Sequence, residues 1–417
     1  MDRDVLESLF HAAVARAQPA LAVAAHLPPR PRGRTVVIGA GKASAQMALA
    51  FETAWDGPID GLVVTRYGYA APCERIEILE AAHPVSDEAG FIAARRLMAK
   101  VTGLGSDDLV VALISGGGSA LLAAPGPGMS LADEQAVNAA LLASGAPIGA
   151  MNAIRKELSL IKGGRLAALA APARVVTLVV SDVPGDDPAL VASGPTIASA
   201  STREAARKLV SLYAISLPAA AVRLLAGTAN AAPLPGDPRF ARNTISVIAS
   251  ASLSLDAAAA QARLAGLSAV VLSDAIEGEA REVAKMHAAI AREVKTRNRP
   301  FEAPVAILSG GETTVTLRGP GRGGRNAEFL LAFALAIDGM EGISALAADT
   351  DGIDGTEDNA GAFADGATAT RLRAAGIDPA HALADNDAYS AFAAIGDLFV
   401  TGPTGTNVND FRAIIVR

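Results

Sequence analysis

Short apolar runs rich in β-branched residues alternate with longer alanine- and leucine-rich stretches from residue 34 onward. The apolar runs end in glycine clusters, and a helical segment follows each of them. Strands that alternate with helices are typical of α/β folds. The pattern predicts ten strands, over residues 35–38, 62–65, 76–79, 109–114, 175–180, 245–249, 269–272, 305–308, 314–317 and 343–347. Ten strands are more than one ordinary sheet contains, so we expect two α/β domains.

The boundaries of these domains follow from composition. Residues 228–243 place three prolines and a glycine between a helical segment and a new strand, which is typical of a linker. We therefore predict domains over residues 1–235 and 243–417. Before the first strand, one apolar stripe with helical spacing predicts an amphipathic helix; its members are Val5, Leu6, Leu9, Phe10 and Val14.

Composition and charge exclude several classes of protein. Of the 417 residues, 51% are hydrophobic and 19% charged, a composition that can bury a large core. The net charge of −7 argues against a nucleic-acid partner. The single cysteine, Cys73, excludes an internal disulfide and a multi-thiolate zinc site, which fits a cytoplasmic protein. The longest apolar run, residues 329–337, is about half of the roughly 20 residues that cross a bilayer, so we expect no membrane span.

The first motif with possible chemistry is RTVVIGAGKAS, residues 34–44, a strand followed by a glycine turn and a helix. Backbone amides at Gly39 and Gly41 and the start of the helix favour an anion. A dinucleotide fingerprint would need glycine where Ser44 stands, and a Walker A loop would need serine or threonine in place of Ala43. Two interpretations of Lys42 therefore stay open: it lies beside a turn that binds an anion, or it is a solvated lysine in a tight turn.

The second motif, VVALISGGGSALL, brings a strand into three consecutive glycines. Glycines allow a phosphate or carboxylate to approach backbone amides, although close helix packing would also favour them. Leu121 occupies the place where a nucleophile elbow needs glycine, so the loop predicts binding rather than nucleophilic attack. The candidate ligand-binding residues are Ser115, Gly116, Gly117, Gly118 and Ser119.

Two further segments carry charged residues that could meet an anionic substrate and its metal. In MNAIRKELSLIKGGRLA a helical pattern puts Arg155 and Lys162 on one stripe, although such a flank is usually only solvated. In VVTLVVSDVPGDDPALVASGPT a strand ends at Asp182, and Asp187 follows in a turn. Carboxylates at a strand's end are typical Mg²⁺ ligands, and equally typical of Asx turns and helix caps.

The carboxyl-terminal half contains three more candidate loops. APVAILSGGETTVTLRGPGRGGRNAEF predicts two strands around a Gly-Gly-Glu turn, then a loop that exposes Arg318, Arg322 and Arg325 among glycines, as phosphate recognition requires. AADTDGIDG is an acidic loop at a strand end that includes Asp351 and fails the EF-hand pattern. The last loop is FVTGPTGTNVND. Its side chains could donate or accept hydrogen bonds with a polyhydroxylated substrate, or with the backbone of the loop itself.

Taken in order, VIGAGKAS, AHPVSDEAG, LISGGGSALL, NAIRKELSLIKGGRLA, SDVPGDDPALVASGPT, LSGGETTVTLRGPGRGGRNAEF, TDGIDG and TGPTGTNVND resemble the class II glycerate 2-kinases. The carboxyl-terminal part of that family is the MOFRL domain. The resemblance extends from about residue 38 to residue 410. It implies a Rossmann-like domain over residues 1–235, an α/β MOFRL-like domain over 243–417, and an active site in the cleft between them.

The same resemblance implies ATP-dependent phosphorylation of the 2-hydroxyl of D-glycerate, with Mg²⁺ or another divalent metal. Lys42 and Arg325 fall on the family's catalytic lysine and arginine. Asp182, Asp187 and Asp351 are the candidate metal ligands. The implied substrate- and nucleotide-binding residues are Gly39, Gly41, Ser115, Gly116, Gly117, Gly118, Ser119, Arg155, Lys162, Gly310, Glu312, Asn326, Thr404 and Asn407. The expected partners are the small molecules D-glycerate and ATP, with neither nucleic acid nor membrane. A homodimer is possible.

Some positions depart from the family pattern, and other functions stay open. Ser86, Ala251 and Ala327 stand where the family often has proline, asparagine and glutamine, which bears on substrate preference. Family members are often named hydroxypyruvate reductases, so an NAD(P)H-dependent reductase is the alternative. The incomplete glycine fingerprint argues against hydride transfer. A non-catalytic binder of phosphorylated metabolites is a third hypothesis.

Overall fold

Two six-stranded sheets organise the chain in a computed structural model that describes residues 2–228 and 230–417. The strands are β1 (Thr35–Ala40), β2 (Asp60–Arg66), β3 (Ile76–Ala81), β4 (Leu109–Ser115), β5 (Arg174–Val180), β6 (Thr244–Ala249), β7 (Ser268–Glu279), β8 (Val305–Thr314), β9 (Ile343–Asp349), β10 (Gly361–Asp365), β11 (Leu398–Phe399) and β12 (Asp410–Val416). The described residues also form short 3₁₀ segments at Pro184–Asp186, Val191–Ser193 and Pro238–Phe240.

The helices cover these sheets and connect their strands. They are α1 (Asp2–Arg16), α2 (Pro19–Ala24), α3 (Ser44–Ala54), α4 (Glu88–Val101), α5 (Gly118–Leu121), α6 (Leu131–Ala143), α7 (Ile148–Glu157), α8 (Arg165–Ala170), α9 (Arg203–Leu212), α10 (Ala219–Ala226), α11 (Ala251–Leu264), α12 (Ala280–Arg297), α13 (Arg325–Ala336), α14 (Thr368–Ala374), α15 (Pro379–Ala384) and α16 (Ala388–Ile395). None of the helices in the described part of the chain combines the length and the apolar surface that crossing a membrane requires.

The first sheet has the strand order β3-β2-β1-β4-β5-β6. The pairs that link β3 to β2, β2 to β1, β1 to β4 and β4 to β5 are all parallel. Every residue of β1 and β4 is buried, because helices cover both faces of the sheet. The Val-, Ile- and Leu-rich runs of the sequence therefore match central strands rather than half-exposed ones.

The second sheet is mixed, with the order β11-β10-β9-β12-β8-β7. The β7–β8 pair is parallel, and the other described pairs are antiparallel. Strand β12 lies between β9 and β8, and all of its residues are buried. This central position brings Asp410, the first residue of β12, next to Asp349 on β9 and Gly311 on β8.

The chain divides into two compact units, Pro19–Ile248 and the residues up to Gln18 together with Ala249–Arg417. These limits differ from the predicted domains, 1–235 and 243–417, at both ends of the first domain. The predicted amphipathic helix is confirmed as α1, but its apolar stripe packs on α11 in the core of the second unit. Strand β6 joins the first sheet, so the second unit begins after it.

Nine of the ten predicted strands are confirmed, and the one over residues 314–317 is wrong. The Gly-Gly-Glu segment is not a turn, because β8 continues through it to Thr314. Gly311 makes this continuation feasible: its φ is +132°, and a β-carbon there would lie 2.2 Å from the carbonyl oxygen of Ile276 on the irregular strand β7. The sequence pattern did not predict β10, β11 and β12, because these strands are short or carry charged residues.

The predicted helix across residues 151–167 is also interrupted. Helix α7 ends at Glu157, and α8 starts at Arg165. Between them, Gly163 and Gly164 adopt φ values of +63° and +83°, which favour glycine and break a right-handed helix. Arg155 and Lys162 consequently do not share one helical stripe, which corrects that prediction.

A buried histidine on α12 makes the stability of the second unit depend on pH. The His287 Nδ1 lies 2.8 Å from the carbonyl oxygen of Val283, and Nε2 lies 2.9 Å from Ser309 Oγ. A carbonyl only accepts, so Nδ1 carries the proton and Nε2 accepts from the serine. Burial, the main cause, lowers the pKa of His287 to about 4.

We expect the free energy of unfolding to fall as the pH drops from about 6.5 toward 4. In that window the unfolded chain binds a proton on His287 that the folded protein excludes. At pH 5, His287 alone lowers the free energy of unfolding by about 2 kcal/mol relative to its value at pH 7.5. Urea unfolding of wild type and His287→Gln at both pH values checks this, and an equal loss of stability in the two proteins would contradict it.

Candidate active site

Four loops meet at the carboxyl edge of the first sheet, where α/β proteins place their ligands. Lys42 follows β1, His83 follows β3 and Asp182 follows β5. The glycines after β4 lie between them: a β-carbon at Gly117 would lie 3.1 Å from both His83 Nε2 and Lys42 Cγ. A β-carbon at Gly116 would lie 1.8 Å from Asp182 Oδ2. Glycine is therefore required at both positions to bring these side chains together.

The turn that carries Lys42 is held by a buried serine. Gly41 has a φ of +140°, and a β-carbon there would lie 2.2 Å from Ser115 Oγ. The Ala43 N–H donates to Ser115 Oγ at 3.0 Å, and the Ser44 hydroxyl lies 3.1 Å from it. Ser115 is only 1% exposed, so its hydroxyl fixes the turn inside the protein.

The Lys42 backbone is fixed on both sides, whereas its ammonium is available. Its N–H donates to the Gly116 carbonyl at 2.9 Å, and the Thr65 hydroxyl donates to the Lys42 carbonyl at 3.3 Å. Among the described residues the ammonium has no hydrogen-bond acceptor and no ion-pair partner. Of the other glycines predicted to bind ligand, Gly39 and Gly118 serve close packing, with β-carbon positions 2.6 Å and 2.7 Å from neighbouring atoms.

His83 belongs to this group, although the sequence analysis did not select it. Its half-buried imidazole faces the glycine loop. Burial, together with the nearby charges of Lys42 and Arg66, lowers the pKa of His83 below its usual value. The ring is therefore neutral at pH 7 and can accept a hydrogen bond beside Lys42. Its position after a strand in AAHPVSDEAG was the available sequence signal.

The glycine loop continues into a polar network around Ser193. Ser119 Oγ lies 2.9 Å from Ser193 Oγ, which donates to Asn152 Oδ1 on α7 at 3.3 Å. Ala192 and Ser193 have φ values of +51° and +59°, and Gly194 has +58°. A left-handed backbone at alanine and serine costs roughly 1–2 kcal/mol per residue, and such strain is concentrated at functional sites.

The predicted binding residues Arg155 and Lys162 both have protein partners. Lys162 is 2% exposed and donates to Glu134 Oε1 at 3.0 Å, so its charge is neutralised inside the protein. The Arg155 Nε donates to Asn138 Oδ1 at 2.9 Å, and its Nη1 donates to Asn152 Oδ1 at 3.3 Å. These contacts make Arg155 a support for Asn152.

In the second unit, carboxylates surround Arg325 at the start of α13. Its Nε donates to Asp410 at 2.6 Å, Nη2 to Asp349 at 2.7 Å and Nη1 to Glu312 at 3.0 Å. Burial opposes its charge, but the nearby Asp410 and Asp349 outweigh that effect and raise the pKa of Arg325 further above its usual range. Three carboxylates thus fix the guanidinium while 23% of its side chain remains exposed.

A buried layer of polar groups supports this arginine from behind. Asn326, 0% exposed, donates through Nδ2 to Asp410 at 3.0 Å. Asp354 accepts from the N–H groups of Asn326 at 3.0 Å and Ala327 at 2.8 Å, and burial raises the pKa of Asp354 to about 6. Arg412, wholly buried, donates to the second oxygen of Asp410 at 2.5 Å. The predicted ligand Asn326 thus lies buried behind Arg325, bonded to the same carboxylate.

The remaining predicted residues of this unit lie around the acidic loop. The Thr404 N–H donates to the Asp351 carbonyl at 3.0 Å, and Asn407 Nδ2 donates to Asp351 Oδ2 at 3.5 Å. Asp349 is deeply buried, and burial, reinforced by Asp351, raises its pKa. Gly310 lies on β8, where a β-carbon would be 3.2 Å from the Asp410 carbonyl oxygen.

The three candidate metal ligands do not form a closed cage. Within residues 2–228 and 230–417, no cluster of three or more His, Cys, Asp or Glu side chains has metal-binding geometry. Asp182 lies against Gly116, and the exposed Asp187 accepts from the Ala189 N–H at 2.9 Å. Mg²⁺ fits such residues, because it is usually held by one or two carboxylates together with substrate phosphates.

Comparisons with known proteins agree with this architecture. The profile of a domain of unknown function, DUF4147, matches residues 5–226, and that of the MOFRL family matches residues 305–410. A protein of Agrobacterium vitis, provisionally named a hydroxypyruvate reductase, is 55% identical over 417 residues, which cover 99% of this chain and 94% of that protein. The D-glycerate 2-kinase of Thermotoga maritima is 41% identical over 395 residues, 94% of this chain and 93% of the relative.

A solved structure is similar over the same extent. The crystal structure of a glycerate kinase from Thermotoga maritima matches with a TM-score of 0.92 and 39% identity, over 99% of each chain. Similarity of this extent, in sequence and in fold, is sufficient to assign the family. The chain belongs to the class II glycerate 2-kinases, with a MOFRL domain in its carboxyl-terminal part.

Proposed function

We propose that this protein transfers the γ-phosphoryl group of ATP to the 2-hydroxyl of D-glycerate. One observation carries the proposal most directly: the half-buried Lys42 presents an ammonium with no acceptor among the described residues, beside a loop of three glycines at the carboxyl edge of a parallel sheet. Phosphoryl transfer requires positioning and charge neutralisation more than covalent chemistry, and this arrangement supplies both.

In this proposal the first unit binds a phosphate-bearing substrate in a Rossmann-like manner. Its strand order is the one used by dinucleotide-binding folds, whose ligands lie at the carboxyl ends of the strands. The backbone N–H groups of Gly116, Gly117, Gly118 and Ser119 receive an anionic oxygen, while Lys42 neutralises the transferring phosphoryl group. The neutral His83 beside Lys42 accepts a hydrogen bond from a substrate hydroxyl.

Arg325 of the second unit is proposed to stabilise the same phosphoryl group. Asp410, Asp349 and Glu312 hold its fork in one orientation, which lowers the entropy lost when it binds oxygen atoms. Contact of Lys42 and Arg325 with one phosphoryl group in a cleft stays a prediction. Thr404 and Asn407, which are hydrogen-bonded to Asp351, remain candidate contacts for the substrate.

The metal would be Mg²⁺ held by Asp182, with Asp187 and Asp351 as further candidates. When bound, it would supply positive charge that offsets the negative charge of the phosphates of ATP. Asp182 lies where the Gly116 loop turns, so it can hold a cation next to a phosphate on that loop. A cytoplasmic location and a homodimer stay predictions.

A hydroxypyruvate reductase is the competing function, because the Agrobacterium vitis relative carries that name. Against it, the third glycine of the dinucleotide fingerprint is replaced by Ser44, which is 0% exposed and bonded to Ser115. Two assays separate the functions. We expect ADP formation that requires D-glycerate and Mg²⁺, and no NADH or NADPH oxidation with hydroxypyruvate. Reductase activity without glycerate-dependent ADP formation would overturn the proposal.

A further inference from the structure

Helix α7 presents two hydrogen-bond donors on one face that the sequence analysis did not select. Asn152 and Lys156 are four residues apart, so their side chains lie on the same side of the helix. They are only 4% and 5% exposed. The Asn152 Oδ1 accepts from Ser193 and Arg155, whereas its Nδ2 donates to none of the described residues.

Lys156 differs from the neighbouring buried cations. The buried cations Lys162, Arg165 and Arg203 each form an ion pair with a buried carboxylate. Such pairing is expected, because the burial of a charge without a partner is strongly unfavourable. The Lys156 ammonium forms neither a hydrogen bond nor an ion pair within 4 Å with the described residues. Burial lowers its pKa, and the more distant charges of Asp187 and Glu157 oppose that effect without cancelling it. The neighbouring pairs are Lys162 with Glu134 at 3.0 Å, Arg165 with Glu157 at 3.9 Å and Arg203 with Glu157 at 3.6 Å.

The surroundings of Lys156 place it next to the strained turn of the glycine-loop network. A β-carbon at Gly163 would lie 3.3 Å from Lys156 Cβ and 3.4 Å from its Cγ, so the lysine stem runs along Gly163. The Gly163 N–H donates to the Ser193 carbonyl at 3.1 Å. Ser193 in turn links Asn152 to Ser119. The two free donors of α7 and the glycine loop thus belong to one connected site.

We propose that Lys156 Nζ and Asn152 Nδ2 bind the carboxylate of the acceptor substrate. The inference rests on the proposed function and assigns one group of that substrate to named residues. One ammonium without a direct ion-pair partner and one neutral amide match a group with a single negative charge and two oxygens. A phosphate carries a charge of about −1.5 to −2 at pH 7 and would find more donors on the glycine loop.

This role explains why a buried charge without a direct ion-pair partner is retained. The charges of Asp187 and Glu157 offset the burial of Lys156 only in part, and the substrate carboxylate supplies the direct ion pair that the protein alone does not form. The left-handed Ala192–Ser193–Gly194 segment orients the Ser193 hydroxyl toward Asn152, whose oxygen is then occupied and whose Nδ2 faces away from that bond.

Isothermal titration of the full-length protein with D-glycerate and, separately, with ATP tests the assignment. We expect Lys156→Gln to raise the Kd for D-glycerate about 10- to 100-fold and the Kd for ATP less than about threefold. The same variant should be at least as thermally stable as wild type, since it removes an unpaired buried charge. Glyceramide, which lacks the carboxylate, should bind wild type and variant equally.

Asn152→Asp provides a second variant that keeps the acceptor for Ser193. The substitution replaces the Nδ2 donor with a carboxylate oxygen that repels the carboxylate of the substrate, so we expect the same selective loss of D-glycerate binding. Lys208→Gln, at an exposed lysine paired with Glu204, is the matched control and should bind both ligands as wild type does.

Three outcomes decide the assignment. Loss of D-glycerate binding alone supports it. Loss of ATP binding alone, or unchanged binding of both ligands, overturns it while the kinase function stands. A wild-type protein that neither binds nor phosphorylates D-glycerate overturns the kinase proposal and this assignment with it.

Discussion

Replacing Lys42 with alanine is expected to lower kcat for glycerate phosphorylation by more than about a hundredfold, the effect of losing one donor to a charged transition state. The fold should be unaffected, because the contacts of Lys42 with Gly116 and Thr65 use only its backbone. Its ammonium stabilises no described group, so Tm should stay within about 2 °C of wild type. Steady-state kinetics and thermal unfolding measure the two effects.

Lys285→Ala serves as the control for Lys42→Ala. It removes an exposed lysine that pairs with Glu282, and should change neither kcat nor Tm appreciably. A Lys42→Ala enzyme with more than about a tenth of the wild-type kcat would show that Lys42 is a solvated turn residue and not part of the catalytic site.

Replacing Arg325 with alanine is expected to lower both kcat and stability. Without this guanidinium, the buried Asp410 and Asp349 lose a partner at 2.6 and 2.7 Å. Removing one member of a buried ion pair costs about 3–5 kcal/mol, which lowers Tm on the order of 10 °C. The sequence alone predicts a surface arginine in a glycine-rich loop and hence an intact fold; the three carboxylates change that expectation for stability.

Arg325→Lys separates the two effects. A lysine keeps the charge near Asp410 but lacks the planar fork, so most of the stability should return while kcat stays at least about a hundredfold below wild type. Arg373→Ala removes an exposed arginine paired with Asp338 and is the control. Full activity in Arg325→Lys would contradict a requirement for the fork, and an unchanged Tm in Arg325→Ala would contradict the structural role.

The fold was largely predictable from the sequence because its central strands are buried on both faces. Continuous apolar runs such as Leu109–Ser115 then identify strands without any alternation. The failures have local causes. Strand β12 begins with Asp410 and includes Arg412, charges that can be buried because Asp410 pairs with both Arg412 and Arg325. The continuation of β8 past Gly310 depends on the approach of Ile276, a contact between distant parts of the chain.

The candidate site was predictable only where a local motif carries the chemistry. Lys42 and Arg325 stand in glycine-rich loops that leave their side chains accessible, and the motifs indicated both. Lys156 was missed because its neighbours Arg155 and Lys162 have the same charge, and only the structure shows which cation lacks a partner. His83 was missed because its closeness to Lys42 arises from the pairing of separate strands.

The position of the transferred phosphate tests the proposed function most directly. Purified protein, ATP, Mg²⁺ and D-glycerate are incubated, and the product is identified by phosphorus and carbon NMR, with Lys42→Ala and a reaction without glycerate as controls. We expect a single product with phosphate on carbon 2, absent from both controls. Phosphate on carbon 3, or ATP hydrolysis at the same rate without glycerate, would contradict the proposal.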